Sequence, residues 1–127
     1  MRIEPRDIHW LAGLLEGEGC FTGNTSHKGR GVTPAIQLEI LDRDIAERAA
    51  RLLGGRLTVK SRPPGKHCSF KPICQVRLYG APAVGWMMTL WTLLGERRRA
   101  RIVEVLKVWR SKKKQRSPQK LWAKQCA

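Results

Sequence analysis

The chain has 127 residues, enough for one domain with its own core. Lys and Arg total 25 against 10 Asp and Glu, a formal charge of +15, and 42% of residues are hydrophobic. The hydrophobic share excludes a disordered polar tail, and the charge excess calls for a polyanionic partner, nucleic acid first, with a basic ribosomal or membrane-surface protein as the plain alternative.

Glu4-Pro5 reads as a helix start, with proline at the first helical position and Asp7 in the first turn. Ile8, Leu11, Leu14 and Leu15 form its core stripe. Gly13 and Gly17, four apart, lie on one helical face, with Ala12 widening the flat strip. Each glycine costs the helix about 1 kcal/mol relative to alanine, and close approach of another backbone is the compensating gain. Gly17 and Gly19 around Glu18 end the helix and turn the chain into a strand, which leaves Glu18 at the exposed bottom of a tight helix pair. A carboxylate there, in so basic a chain, is a candidate ligand for a hard divalent cation.

Cys20 to Thr25 reads as a first strand and 26–31 as a polar, glycine-rich loop. Thr33 to Leu41 alternates, with Ile36, Leu38 and Ile40 on one face and Thr33, Ala35, Gln37 and Glu39 on the other. Asp42 caps a second helix whose buried face is Ile45, Ala46, Ala49, Leu52 and Leu53, and Gly54-Gly55 ends it. Arg56 to Arg62 is a third strand with Leu57 and Val59 inward and Thr58, Lys60 and Arg62 outward. After the Pro63-Pro64-Gly65 turn, Ser69 to Tyr79 is a fourth, with Cys74, Val76 and Leu78 inward and Ile73, Gln75 and Arg77 outward. Gly80 to Leu94 is an apolar helix, too short to span a bilayer. Glu96 to Trp109 is a last helix with Ile102, Val105, Leu106 and Trp109 as its stripe. Two parts are therefore expected: a domain over 1–110 and a basic tail over 111–127 that contains Lys112-Lys113-Lys114.

Cys20, Cys68, Cys74 and Cys126 have no metal-type pairing, so structural zinc is not expected and the thiols are read as reduced. The short apolar run Trp10 to Leu15 is followed by two acids and is no signal peptide. An intracellular protein of cytoplasm, nucleoid or organelle is expected, without membrane contact. Trp10, Trp86, Trp91 and Trp109 fall on core faces and are read as packing residues.

The run Trp10-Leu11-Ala12-Gly13-Leu14-Leu15-Glu16-Gly17-Glu18-Gly19-Cys20-Phe21 resembles the motif of the LAGLIDADG homing endonucleases, with Glu at both positions where the family's name has Asp. The order helix, strand, strand, helix, strand, strand, helix, helix also matches that family's αββαββα plan, an α+β fold in which a saddle of antiparallel strands rests on DNA. The resemblance covers roughly residues 4–109.

The resemblance implies a metal-dependent, site-specific endonuclease acting on double-stranded DNA. Cleavage would cross the minor groove of a long, near-palindromic site and leave short 3′ overhangs. Glu18 stands where the family binds metal, and oxygen ligands favour Mg²⁺, with Mn²⁺ as a substitute. Asp42 stands where a polar residue positions the attacking water; a plain helix cap is the competing reading. Arg97 or Arg98 stands where a basic residue offsets phosphate charge. One motif supplies one active site, so cutting two strands implies a homodimer, whose interface is read as Leu11, Ala12, Gly13, Glu16 and Gly17. Glu16 is expected to bond backbone N–H groups at the partner's helix end.

The expected DNA-binding set is Thr22, Asn24, Lys28, Arg30, Thr33, Gln37, Glu39, Thr58, Lys60, Arg62, Gln75 and Arg77. Amide and guanidinium groups among them suit base edges in the major groove, and phosphate contacts would supply most of the affinity. The rival class keeps the fold without cleavage, as an intron maturase acting on RNA or as a DNA-binding regulator. The intact acid at Glu18 argues against it. An intron-encoded and a free-standing protein fit the chain equally well.

Overall fold

The computed structural model describes residues 2–25, 32–61 and 72–115. Helix α1 (Pro5–Glu18) starts on Glu4, whose backbone N–H donates to Asp7 Oδ2 at 3.1 Å and whose carbonyl accepts from the amides of Asp7 and Ile8. It stops at Gly19, where a side chain would not fit. An added Cβ would lie 2.7 Å from the Leu15 carbonyl oxygen, to which the Gly19 N–H donates.

Strands β1 (Gly19–Thr25) and β2 (Val32–Ile40) follow. Then come α2 (Arg43–Leu53), β3 (Arg56–Lys60) and β4 (Ile73–Tyr79). Helix α3 (Ala81–Leu90), a 3-10 turn (Trp91–Leu93) and α4 (Glu96–Gln115) complete the order. The fold is α+β, as expected. Gly54 closes α2 in the left-handed region at φ 71°, a conformation that disfavours any residue with a Cβ. Four elements differ from the sequence reading. Strand β3 ends at Lys60 and β4 starts at Ile73, both inside the bounds expected from alternation. The apolar helix over 80–94 breaks after Leu90, which lets Gly95 swing toward α1. Helix α4 runs on to Gln115, past the boundary placed at residue 110.

The four strands form one antiparallel sheet in the order β1-β2-β4-β3. The period-2 pattern gives it two unlike faces. Phe21, Ile36, Leu38, Cys74, Val76 and Leu78 point into the core, where they meet Leu11 and Leu15 of α1, Ala46 and Ala49 of α2, Met87 and Leu90 of α3, and Ile102 of α4. All four helices therefore lie on one side and the other side is left open. Val59 was expected inward with Leu57, but it is 45% exposed, near the end of a short edge strand.

Trp10, Trp86, Trp91 and Trp109 pack against the core from the helices, as read from their spacing. Two of them also tie elements together. Trp86 Nε1 donates to the Leu53 carbonyl at 3.2 Å, joining α3 to the end of α2. The Arg48 guanidinium lies 4.0 Å over the Trp10 ring and reaches Asp7 Oδ1 at 3.2 Å, joining α2 to the start of α1.

Candidate active site and nucleic-acid interface

At the end of α1 the two acids of the motif take different roles. Glu16 is half-buried, and its Oε2 accepts from the Gly95 backbone N–H at 3.1 Å. That partner is the start of α4 in the same chain, not a helix end of a second copy, so the expectation for Glu16 is corrected. The first amides of a helix lack intrahelical partners, and a carboxylate is a suitable acceptor for them. Glu18 is exposed, and it lines one open pocket of about 350 Å³ with Glu39, Ile40, Leu41, Asp42 and Ile73. The pocket forms where α1 ends beside the end of β2. The Asp42 side chain accepts no bond from α2, which begins instead on the Asp42 backbone carbonyl, accepting from the Ala46 N–H at 3.1 Å. A side-chain N-cap is thus not what Asp42 does here.

The arginines at the start of α4 also separate. Arg97 is exposed. Arg98 is half-buried and spends its donors on backbone. Its Nε and Nη2 donate to the Glu16 carbonyl at 3.2 and 3.0 Å, and its Nη1 donates to the Gly19 carbonyl at 2.6 Å. Three of the five N–H donors of its fork thus have backbone acceptors, which ties Arg98 to the end of α1 in a way not expected from the sequence.

The glycine face of α1 is open in the single chain. A Cβ built at Gly13 or Gly17 meets nothing within 4 Å, and both residues are exposed. Leu11 and Ala12 are different: they are 0% and 4% exposed and belong to the chain's own core, so their place in the expected interface is corrected. The helix turns 100° per residue, and the two residues just before Gly13 face the sheet.

On the open face of the sheet, register brings side chains of all four strands together. Gln37 lies opposite Arg77 and Cys20, Glu39 opposite Gln75, Arg56 opposite Arg77, and Thr58 opposite Gln75. Thr33, Glu39, Thr58 and Lys60 are exposed and Thr22, Gln37 and Arg77 half-exposed. Gln75 is corrected: it is only 3% exposed, and its Nε2 donates to Glu39 Oε1 at 2.8 Å. On a central strand its neighbours cover it, so it orients Glu39 rather than facing outward. Asn24 sits in β1 opposite Thr33, while Lys28, Arg30 and Arg62 lie outside the described residues.

Arg56 belongs to the same face and was not singled out from the sequence, although its alternation with Thr58 and Lys60 carries the signal. It stands directly opposite Arg77, whose Nη1 reaches only the Tyr79 hydroxyl at 3.4 Å and whose buried Nε has no partner among the described residues. Like charges opposite one another across strands destabilise the pair. Two guanidiniums held there, with donors unmet, suit an external acceptor.

Comparison with known proteins gives the architecture a context. No family model matches the chain, and no curated protein matches it by sequence. Solved structures do. The homing endonuclease I-CvuI in complex with its target in the presence of Ca superposes with a TM-score of 0.60 at 18% identity, over 86% of this chain and 73% of that one. The archaeal intron-encoded homing endonuclease I-Vdi141I complexed with DNA gives 0.58 at 15% identity, over 79% and 65%. The group I intron-encoded homing endonuclease I-CeuI complexed with DNA gives 0.61 at 12%, over 84% and 55%.

The fold is that of the homing endonucleases. In this fold the open sheet face and the α1 terminus are the regions built by the residues just described. The donor set at the α1 terminus fits a hard cation. No group of three or more His, Cys, Asp or Glu that could hold a metal occurs among the described residues. Mg²⁺, however, takes one or two carboxylates and completes its shell with water and substrate phosphate oxygens. An exposed Glu18 with Asp42 in the same pocket meets that need. No helix among the described residues is long and apolar enough to cross a membrane.

Proposed function

We propose that the protein is a homodimeric, site-specific DNA endonuclease that hydrolyses phosphodiesters with a divalent cation, Mg²⁺ or Mn²⁺. The observation that carries this reading is the division of labour at the end of α1. Glu16 is consumed in holding α4, while Glu18 stays exposed at the mouth of a pocket beside the basic, open sheet face. A cation held there would offset phosphate charge and lower the pKa of a bound water. In this reading the Glu18 carboxylate holds the ion. The Asp42 carboxylate accepts a hydrogen bond from the attacking water and orients it. The exposed Arg97 offsets charge on the phosphate.

The open strip at Gly13 and Gly17 supports pairing with a second copy, since no side chain among the described residues fills it. Two-fold pairing would bring two Glu18 side chains to one DNA site and give the site matching halves. Arg56, Arg77, Gln37, Glu39, Thr58 and Lys60 would then read base edges, and Thr22, Asn24 and Thr33 would extend the contact along β1 and β2.

Sites selected from a randomised duplex library in Ca²⁺ supply a substrate for the test. With Mg²⁺, the wild type is expected to cleave the selected duplex. Glu18→Gln is expected to bind it within about tenfold and leave it uncut, because the amide keeps the shape and loses the charge that holds the ion. Normal cleavage by Glu18→Gln would overturn the assignment.

A further inference from the structure

Helix α1 ends in an unfavourable electrostatic position. Its last carbonyls form the negative pole of the helix. Glu16 and Glu18 add two carboxylates at that pole, and the last turn contains no basic residue. The counter-charge comes from about eighty residues away. Arg98 grips the carbonyl of Glu16, two residues before Glu18, and the carbonyl of Gly19, one residue after it. One planar guanidinium thus spans the backbone on both sides of Glu18. A second tie, from the Gly95 N–H to Glu16 Oε2, holds the same turn. An added Cβ at Gly95 would lie 2.8 Å from Glu16 Oε1, so a side chain there would push against the carboxylate that makes this tie.

The docking of α1 does not require these contacts. Leu11 and Leu15, both 0% exposed, already anchor the helix to the core. What Arg98 adds is confined to the final turn, where the backbone sets the direction of the Glu18 side chain. We propose that Arg98 is a positioning residue for Glu18, acting through the Glu16 and Gly19 carbonyls to hold the metal-binding carboxylate in place. The inference rests on the metal role of Glu18 proposed above.

Groups that orient a ligand without touching the metal typically contribute ten- to a hundredfold in metal affinity. The test is Mn²⁺ titration of full-length protein bound to a selected duplex, read by electron paramagnetic resonance on samples frozen within seconds of mixing. Wild type, Glu18→Gln, Arg98→Ala, Arg98→Lys and Arg101→Ala are compared. Arg101 is the internal control, one turn further along α4, where its Nε donates to the Phe21 carbonyl at 3.1 Å, away from Glu18.

Arg98→Ala is expected to weaken Mn²⁺ binding by about ten- to a hundredfold while keeping duplex affinity in Ca²⁺. Arg98→Lys is expected to fall between it and wild type, because an ammonium is a point donor and cannot span two carbonyls as the fork does. Arg101→Ala is expected to match wild type. Wild-type Mn²⁺ affinity in both Arg98 variants, with binding lost in Glu18→Gln, would overturn the positioning role and leave the metal site standing. Equal weakening in Arg98→Ala and Arg101→Ala would reduce Arg98 to a general structural contact. Mn²⁺ binding unchanged in Glu18→Gln would remove the premise, and the inference with it.

Discussion

Arg56 and Arg77 illustrate how a single position on the sheet acquires a function. They face each other across β3 and β4, and the Arg77 Nε has no acceptor among the described residues. Replacing either by Ala is expected to relax the base preference at one fixed position in each half-site, at roughly 1–3 kcal/mol for a bidentate contact. Site selection with each variant measures this, and an unchanged preference in both would place base reading elsewhere. Gln75→Ala is expected to act differently. It releases Glu39 from its 2.8 Å hydrogen bond, so preference should broaden at the position Glu39 faces. At this scale the sequence was informative where chemistry is local. Glu18, flanked by two glycines, stood out at once. The roles of Glu16 and Arg98 did not, because their partners lie 79 to 82 residues away and no periodicity reports such a contact. The burial of Gln75 was equally hidden. Alternation puts it on the open face, and only the strand order β1-β2-β4-β3 places it in the middle, under its neighbours.

Among elements, α1 carries the most consequence. A Cβ at Gly13 meets nothing within 4 Å among the described residues. Gly13→Leu should therefore leave the monomer folded, or slightly stabilise it, since leucine exceeds glycine in helix propensity by up to about 1 kcal/mol. It should also abolish self-association. Thermal unfolding and sedimentation of the same sample separate the two effects. A Gly13→Leu protein that still dimerises would move the interface off this face. The other end of α1 offers a pH test. The Glu4 N–H, and then Arg48, hold the Asp7 carboxyl below its ordinary value of 3.8. A carboxyl lowered in the folded state contributes fully above its unfolded pKa, and the contribution disappears as pH falls through the lower folded value. Asp7→Asn should thus lower Tm at neutral pH and flatten its acid decline. A parallel shift at every pH would contradict that linkage. Seven of the eight longer elements were legible from period-2 and period-3.6 patterns together with their Gly, Pro and Asp boundaries. The run Gly80 to Leu94 was misjudged because it is apolar throughout, so nothing in it marks the break after Leu90.

For the whole molecule the formal charge is +15, and helix α4 carries basic residues from Arg97 to Lys114. Affinity for duplex DNA is expected to fall steeply with salt. Replacing Lys112 to Lys114 should weaken all sequences alike and flatten that salt dependence without altering base preference. A changed preference would mean that the end of α4 reads bases. The αββαββα order and the basic balance were legible from the chain, the open sheet face was what the resemblance implied, and I-CvuI, I-Vdi141I and I-CeuI share the fold at 12 to 18% identity. Fold and charge do not by themselves distinguish a nuclease from a binder, and the difference rests on chemistry at Glu18. The most direct measurement is to map the ends produced when wild-type protein, bound to its selected duplex, is supplied with Mg²⁺ or Mn²⁺. A metal-dependent double-strand break is expected, with its two cuts related by the two-fold axis of the site. Retained sequence-specific binding with both strands intact at every divalent concentration would contradict the endonuclease reading and leave a non-cleaving nucleic-acid-binding protein.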